Sequence, residues 1–400
     1  VYLMSLKCFP HNGSYQDRTS AKAVSATAPA AAALATSVTT LALSIFSPAA
    51  LAADQVSFDY DAFINSNEQL QSQQMQQLVK ANQDFQHGVT LACSQSMQSA
   101  SEKQPLNQWG HLEELQSLWK QSAQQWQKVQ VFPLGPNTDT TVRLNITFWP
   151  DKKNLVERKV KGLIKQGDRV DLSLGGIAVQ GLAASEYLLY DPRHLQHATI
   201  QQTCPALQAI STKSLANSQA LLTRWQESEF LEHWHDAGLG NDTFASITQA
   251  TGYLLAGLAQ SAEIVAKDKI YKPFRLNTEQ AKSNIYLSEN WRSGLNLDNI
   301  LQNIIDIEHL YLGVDGHNGP HRLLLKKGFT AEAEAIQQQL STLKAQASQL
   351  QQMQQQAFAQ AEGRELAKSF YQNLKQLEKA LKKPLPSFNL AQKFNSRDGD

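Results

Sequence analysis

Apolar residues recur at steps of three and four along most of the chain, while strict alternation never runs long enough to suggest a strand. From Phe58 to about Gln98, Met75, Leu78, Asn82, Phe85, Val89 and Ala92 form one such stripe and predict a helix. Asn107 is placed to cap a second helix running to about Val131, with Trp109, Leu112, Leu115, Trp119, Ala123 and Trp126 on one side. Those tryptophans read as core. Phe132–Asn145 carries Pro133, Gly135, Pro136 and Asn137 and reads as a loop. Pro150, after the pair Phe148-Trp149, suits the first position of a helix from Asp151 to about Lys165. A further helix is expected over Ser173–Asp191, stopped by Pro192. Others follow from about Cys204 to Glu232, and from a cap at Asp242 to about Ala266. Leu297–Leu312 comes next, its stripe built from Ile300, Ile304, Ile307 and Tyr311. Two more end before Pro384, the first striped by Ile336, Leu340, Leu343, Ala347 and Leu350. The irregular stretches Phe132–Pro150 and Lys272–Gly294 hold corresponding places in the two halves. The expectation is an all-α chain of two helical-bundle domains, 53–196 and 197–400.

The first 52 residues read as a secretory signal peptide. Arg18 and Lys22 precede the apolar run Ala30–Phe46, and Ala50-Leu51-Ala52 has the small-x-small form of a cleavage site. No cysteine follows the apolar run, so a periplasmic protein is expected, with no transmembrane segment in the mature chain. The 36 basic and 36 acidic residues cancel, which removes the electrostatic case for nucleic acid. Cleavage removes Cys8 and leaves Cys93 and Cys204, a reasonable disulfide pair in an oxidising compartment. Two isolated buried thiols are the alternative.

Chemistry concentrates on Ser173–Asp191, SLGGIAVQGLAASEYLLYD. Gly181 allows a close helix approach. Glu186 shares a side with Leu182 and Leu189, and a carboxylate on an apolar face has to be paired or hydrogen-bonded. Trp149 and Asp151 in one irregular stretch, and Trp291 and Arg292 in the other, are expected to meet near Glu186 and form a ligand site. The bland alternative is an ion-pair network of Glu186 and Asp151 with Arg143, Lys152 or Arg292. His233 and His235 sit two apart near a helix end. His309, His317 and His321 flank a glycine-rich turn with Glu308 and Asp315, and imidazole with carboxylate suits iron, copper or zinc. The chain has no His-Glu-x-x-His, no Gly-x-Ser-x-Gly elbow and no phosphate loop.

Four segments, FWPDKKN (Phe148–Asn154), GLAASEYLLYD (Gly181–Asp191), SENWRSGLNLDNI (Ser288–Ile300) and FNSRDGD (Phe394–Asp400), together resemble the imelysin-like family of bacterial periplasmic and outer-membrane proteins. The resemblance implies an all-helical two-bundle fold and a link to iron acquisition. Members are often filed as metallopeptidases for a Gly-x-His-x-x-Glu motif. Here Gly181 and Glu186 match, but Ala183 stands where the motif has histidine. Positions 183 and 186 lie one helical turn apart, so the change removes one of two ligands that would share a face. A catalytic zinc site needs three protein ligands and an open position. The reading is a non-enzymatic binding component of iron uptake, with a site at the bundle interface made by Gly181, Ala183, Glu186, Trp149, Asp151, Trp291 and Arg292. Iron or another transition metal is the implied cofactor, with Glu186, His309 and His317 as candidate ligands. An iron-uptake receptor or transporter is the implied partner, and association with the outer membrane is a further implication. The alternatives are an imelysin-type metallopeptidase and a scaffold that docks a membrane receptor.

Overall fold

The stripe through Met75 and Phe85 folds as one long helix, α1 (Tyr60–Met97), capped where the Asp59 carboxylate accepts from the Ala62 amide at 2.9 Å. Every stripe residue from Met75 to Ala92 is buried. The computed structural model describes residues 56–98, 103–132, 134–278, 281–314, 316 and 318–390. The expected signal peptide and the terminal segment Phe394–Asp400 lie outside them. Among the described residues all regular structure is helical, with a single isolated bridge between Pro105 and Thr199. No described helix is long and apolar enough to cross a membrane.

Helix α2 (Leu112–Val131) starts later than Asn107, because the Leu106 amide donates to the Ala198 carbonyl and holds Leu106–Gln108 in a short 3-10 turn. The tryptophans are core, and several indole N–H groups are satisfied. Trp109 donates to Ser96, Trp119 to the Leu182 carbonyl at 3.0 Å, and Trp225 to Ser72. The expected loop at Phe132–Asn145 contains α3 (Thr140–Ile146), nucleated by Asp139 accepting from the Thr141 and Val142 amides. Helix α4 (Leu155–Ile164) begins four residues after Asp151, whose two carboxylate oxygens instead accept from the Leu155 and Val156 amides. Pro150 is therefore not a helix start. It follows a cis Trp149–Pro150 bond in the approach to α4.

Ser173–Asp191 opens as two 3-10 turns and becomes α5 (Leu182–Tyr190) only after Gly181. Helix α5 ends just before Pro192, as expected, and Pro192 also stands first in α6 (Pro192–His197) with Asp191 as its cap. Helix α7 (Ile200–Gln226) carries a capping box of Thr199 and Gln202 and ends before the separate α8 (Glu229–His235). Ser246, not Asp242, caps α9 (Ile247–Ile264), which continues through a π-helical turn, Val265–Tyr271, into α10 (Lys272–Phe274). The rest comprises α11 (Asn296–Leu312), α12 (Pro320–Lys326), α13 (Thr330–Met353), α14 (Gln356–Ala359) and α15 (Ala361–Lys382).

Helix α1 packs against both α2 and α7, and Cys93 of α1 is joined to Cys204 of α7 by a disulfide with Cα atoms 5.6 Å apart. A second group comprises α9, α11, α13 and α15 around Ile304, Ile307, Leu340, Leu343, Phe370 and Leu374, all buried. Contact of α2 with α11 joins the groups, and α2 also touches α5, so the Glu186 helix lies beside that join. The described residues fall within one compact unit.

Candidate functional site

The site is assembled on a glycine. A Cβ at Gly181 would lie 2.2 Å from the Ile146 carbonyl oxygen, so only glycine lets the start of α5 lie against the end of α3. This brings Ala183 and Glu186 to the FWPD segment. From the other half, Ser288–Gly294 forms an irregular turn in which Asn290 takes a left-handed φ of 52° and receives a hydrogen bond from Asn299. Trp149, Asp151, Ala183, Glu186, Trp291 and Arg292 all line one small cavity of about 30 Å³, together with Tyr286, Ser288, Glu289 and Asn290. The two irregular stretches thus meet at Glu186. Gly181 supports this wall from behind and does not line the cavity.

Glu186 is 3% exposed, and its Oε1 accepts from both the amide (2.9 Å) and the hydroxyl (2.7 Å) of Ser293. Burial pushes its carboxyl up, against the opposing pull of the Ser293 donors and of the Arg292 charge. Arg292 does not bridge to Glu186. Its Nε donates to Asp191 Oδ2 at 3.2 Å, its Nη2 reaches Asn154, and Glu157 lies 3.8 Å away. The guanidinium rests over the rings of Trp291 (4.3 Å) and Tyr187 (5.3 Å). Burial acts to raise the Glu157 carboxyl, but hydrogen bonds from Lys161 and Asn154, with the Lys161 and Arg193 charges, hold it down at about 2. Arg143, one of the expected partners of Glu186 and Asp151, donates to the Gln130 carbonyl at 3.0 Å and stands over the Trp126 ring. Asp151 is the cap of α4 rather than a centre of the ion-pair network.

Beside the small cavity opens a cleft of about 830 Å³. The FWPD segment and its flanks contribute Phe148, Trp149, Asp151, Lys152 and Lys153; α2 and α3 contribute Trp126 and Arg143; α9, its π-helical extension and α10 contribute Ile264, Lys267, Asp268 and Lys272. Glu289 lines both the cleft and the cavity. It pairs at 2.8 Å through Oε2 with Lys269, both side chains being 3% exposed. Lys269 also donates to Gln127 (2.8 Å) and Asn303 (2.6 Å). Burial pushes the Lys269 ammonium down, while Glu289 pulls it back up. Both Glu289 carboxylate oxygens and the Ser288 hydroxyl are buried with no hydrogen-bond partner among the described residues, Oε2 meeting Lys269 only as an ion pair.

The residues around Glu186 do not fit a resident metal. Ala183 offers no donor, the Glu186 Oε1 already accepts two hydrogen bonds, and both Asp151 oxygens serve α4 amides. Among the described residues no group of three or more His, Cys, Asp or Glu is disposed to hold an ion. His309 lies near the end of α11 with its Nε2 3.4 Å from the Val314 carbonyl, while His317 lies outside the described residues. His233 meets Thr243 and His235 meets Glu68, so these two neighbours face different partners.

Glu289, Lys269, Ser293, Glu157 and Asp191 were not singled out from sequence. Lys269 carried a signal, a charge among the apolar neighbours Val265, Ala266 and Ile270 at helical spacing. Ser293 and Glu289 lay inside the SENWRS segment, and Asp191 closed the GLAASEYLLYD segment, without marking themselves out.

The imelysin family pattern (peptidase family M75) matches residues 58–381. A search of curated proteins finds no match. Among solved structures, the chain is similar to an imelysin-like protein from Psychrobacter arcticum 273-4, at 16% identity and a TM-score of 0.64, covering 84% of this chain and 99% of that one. It is also similar to a protein from Parabacteroides distasonis ATCC 8503 described as an iron-regulated protein A precursor, at 15% identity and a TM-score of 0.62, covering 81% and 95%. At these identities the two structures speak for the fold, while the family pattern spans most of the sequence: the chain belongs to the imelysin family.

Proposed function

We propose that this protein is a non-enzymatic binding component of bacterial iron uptake, working in the periplasm and holding an iron chelate in the cleft beside Glu186. The observation that carries the reading is the cleft. Its volume falls within the roughly 300–1,000 Å³ of small-molecule sites, and its lining comes from both halves of the chain. Five cationic side chains line it against three anionic ones; Lys272 pairs with Asp268, Lys267 with Glu263 just outside the lining, and Glu289 with Lys269, while Lys153 stands exposed. A positive surplus favours an anionic chelate over a bare cation. The iron context rests on family membership and on the relative described as an iron-regulated protein A precursor. Holding rather than cleaving fits carboxylates that are already engaged by structural donors.

Ferric citrate is the first probe, compared with free ferrous, ferric, copper and zinc ions by calorimetry and thermal shift. The chelate is expected to bind and raise the melting midpoint. Lys153→Glu, at an exposed position with no carboxylate partner among the described residues, is expected to weaken it. Chelator-sensitive proteolysis that disappears in a folded Glu186→Ala variant would instead establish the metallopeptidase reading.

A further inference from the structure

We infer that the cleft takes a hydroxylated aromatic carboxylate as the organic part of its ligand, the ring lying on the aromatic wall, a hydroxyl not bound to iron donating to Glu289 and the carboxylate meeting Lys153. The inference rests on the cleft being the binding site, and it adds which chemistry the site reads.

Three independent features of the lining ask for three different groups. Phe148 and Trp149, both half-buried, supply apolar ring faces at the lining that suit an aromatic ring in offset or edge contact. Glu289 supplies an acceptor that the protein leaves unused. Its Oε2 is ion-paired with Lys269, whose hydrogen bonds go instead to Gln127 and Asn303. Neither Glu289 oxygen, both buried, has a hydrogen-bond donor among the described residues. A buried carboxylate oxygen without a donor is destabilising, so the site is complementary to a ligand group that brings an O–H. Lys153 supplies an exposed ammonium at the mouth, suited to a carboxylate. A purely aliphatic acid leaves the aromatic wall uncovered, a simple aromatic acid brings no donor to Glu289, and a phenol without an acid group leaves Lys153 without a partner.

The test uses 2,3-dihydroxybenzoate, benzoate and catechol in calorimetric titrations of the purified protein at neutral pH. Dihydroxybenzoate is expected to bind, and loss of the hydroxyls (benzoate) or of the acid group (catechol) to weaken binding by about tenfold each, the scale of one charge-assisted hydrogen bond. Lys153→Glu should weaken dihydroxybenzoate and leave catechol unchanged. Glu289→Gln should weaken dihydroxybenzoate but not benzoate; because it also unpairs Lys269, the ligand series on the wild-type protein is the primary readout. Benzoate binding as tightly as dihydroxybenzoate overturns the assignment of Glu289. If none of the three binds while ferric citrate does, and its binding is sensitive to Lys153→Glu, the ligand class is wrong and the cleft stands as the site. If neither ferric citrate nor the aromatic acids bind, the site itself is wrong.

Discussion

Glu186 is best described by what it accepts. Two Ser293 donors converge on one oxygen, so Glu186→Gln, which keeps a carbonyl oxygen in place, should fold with little loss of stability. Glu186→Ala strands both donors and should cost about 1–3 kcal/mol in urea unfolding. The sequence pointed to Glu186 because a carboxylate on an apolar stripe needs a partner, but it could not say that the partner would be a serine amide more than a hundred residues away. His194 gives a second residue-scale expectation. Burial holds its imidazole down at about 4, against about 6.5 when unfolded. Between those values the unfolded chain carries the proton and the native chain does not, so stability rises with pH across that window. The contribution is complete above it and amounts to about 3 kcal/mol at most. Comparing unfolding of wild type and His194→Gln between pH 4 and 7 isolates the effect: the variant should show a flatter slope.

Most long helices were legible because their stripes are repetitive, and α1, α2, α11 and α13 emerge from spacing. What escaped were the short elements and caps, decided by single side-chain hydrogen bonds. Asp139 starts α3 inside a presumed loop, and Asp151 delays α4 by accepting its first amides. Local backbone packing also decides the start of α5. Gly181→Ala would press a methyl group onto the Ile146 carbonyl and should destabilise the protein by about 1–3 kcal/mol, read as a lower melting midpoint. The bond between α1 and α7 acts on the unfolded chain. Its 111-residue separation predicts that the double variant Cys93→Ser/Cys204→Ser loses up to about 4–5 kcal/mol by the chain-entropy account. Denaturant unfolding with and without reductant checks it, and the variant should match the reduced wild type.

Across the whole molecule, Arg292 ties the turn that precedes α11 to the acids of α4 and α6. Arg292→Met leaves Asp191 without that cation in a buried setting and should cost about 3–5 kcal/mol. Arg292→Lys keeps the charge but loses the planar stack on Trp291 and Tyr187, and should fall between Met and wild type in urea midpoint. The sequence placed Arg292 in the site yet missed its partners, because Glu157, Asp191 and Asn154 converge only once α4, α5 and α6 are packed. The same limit applied to Glu289, whose significance depends on the packing that buries both its oxygens without a hydrogen-bond donor. The disulfide has a consequence at this scale too. Residues 93 to 204 form a closed covalent ring, and Leu174, 67% exposed in a short 3-10 turn, lies within it. A protease that cuts the backbone there leaves both fragments attached, so the nicked protein should run as one band on a denaturing gel until a thiol is added.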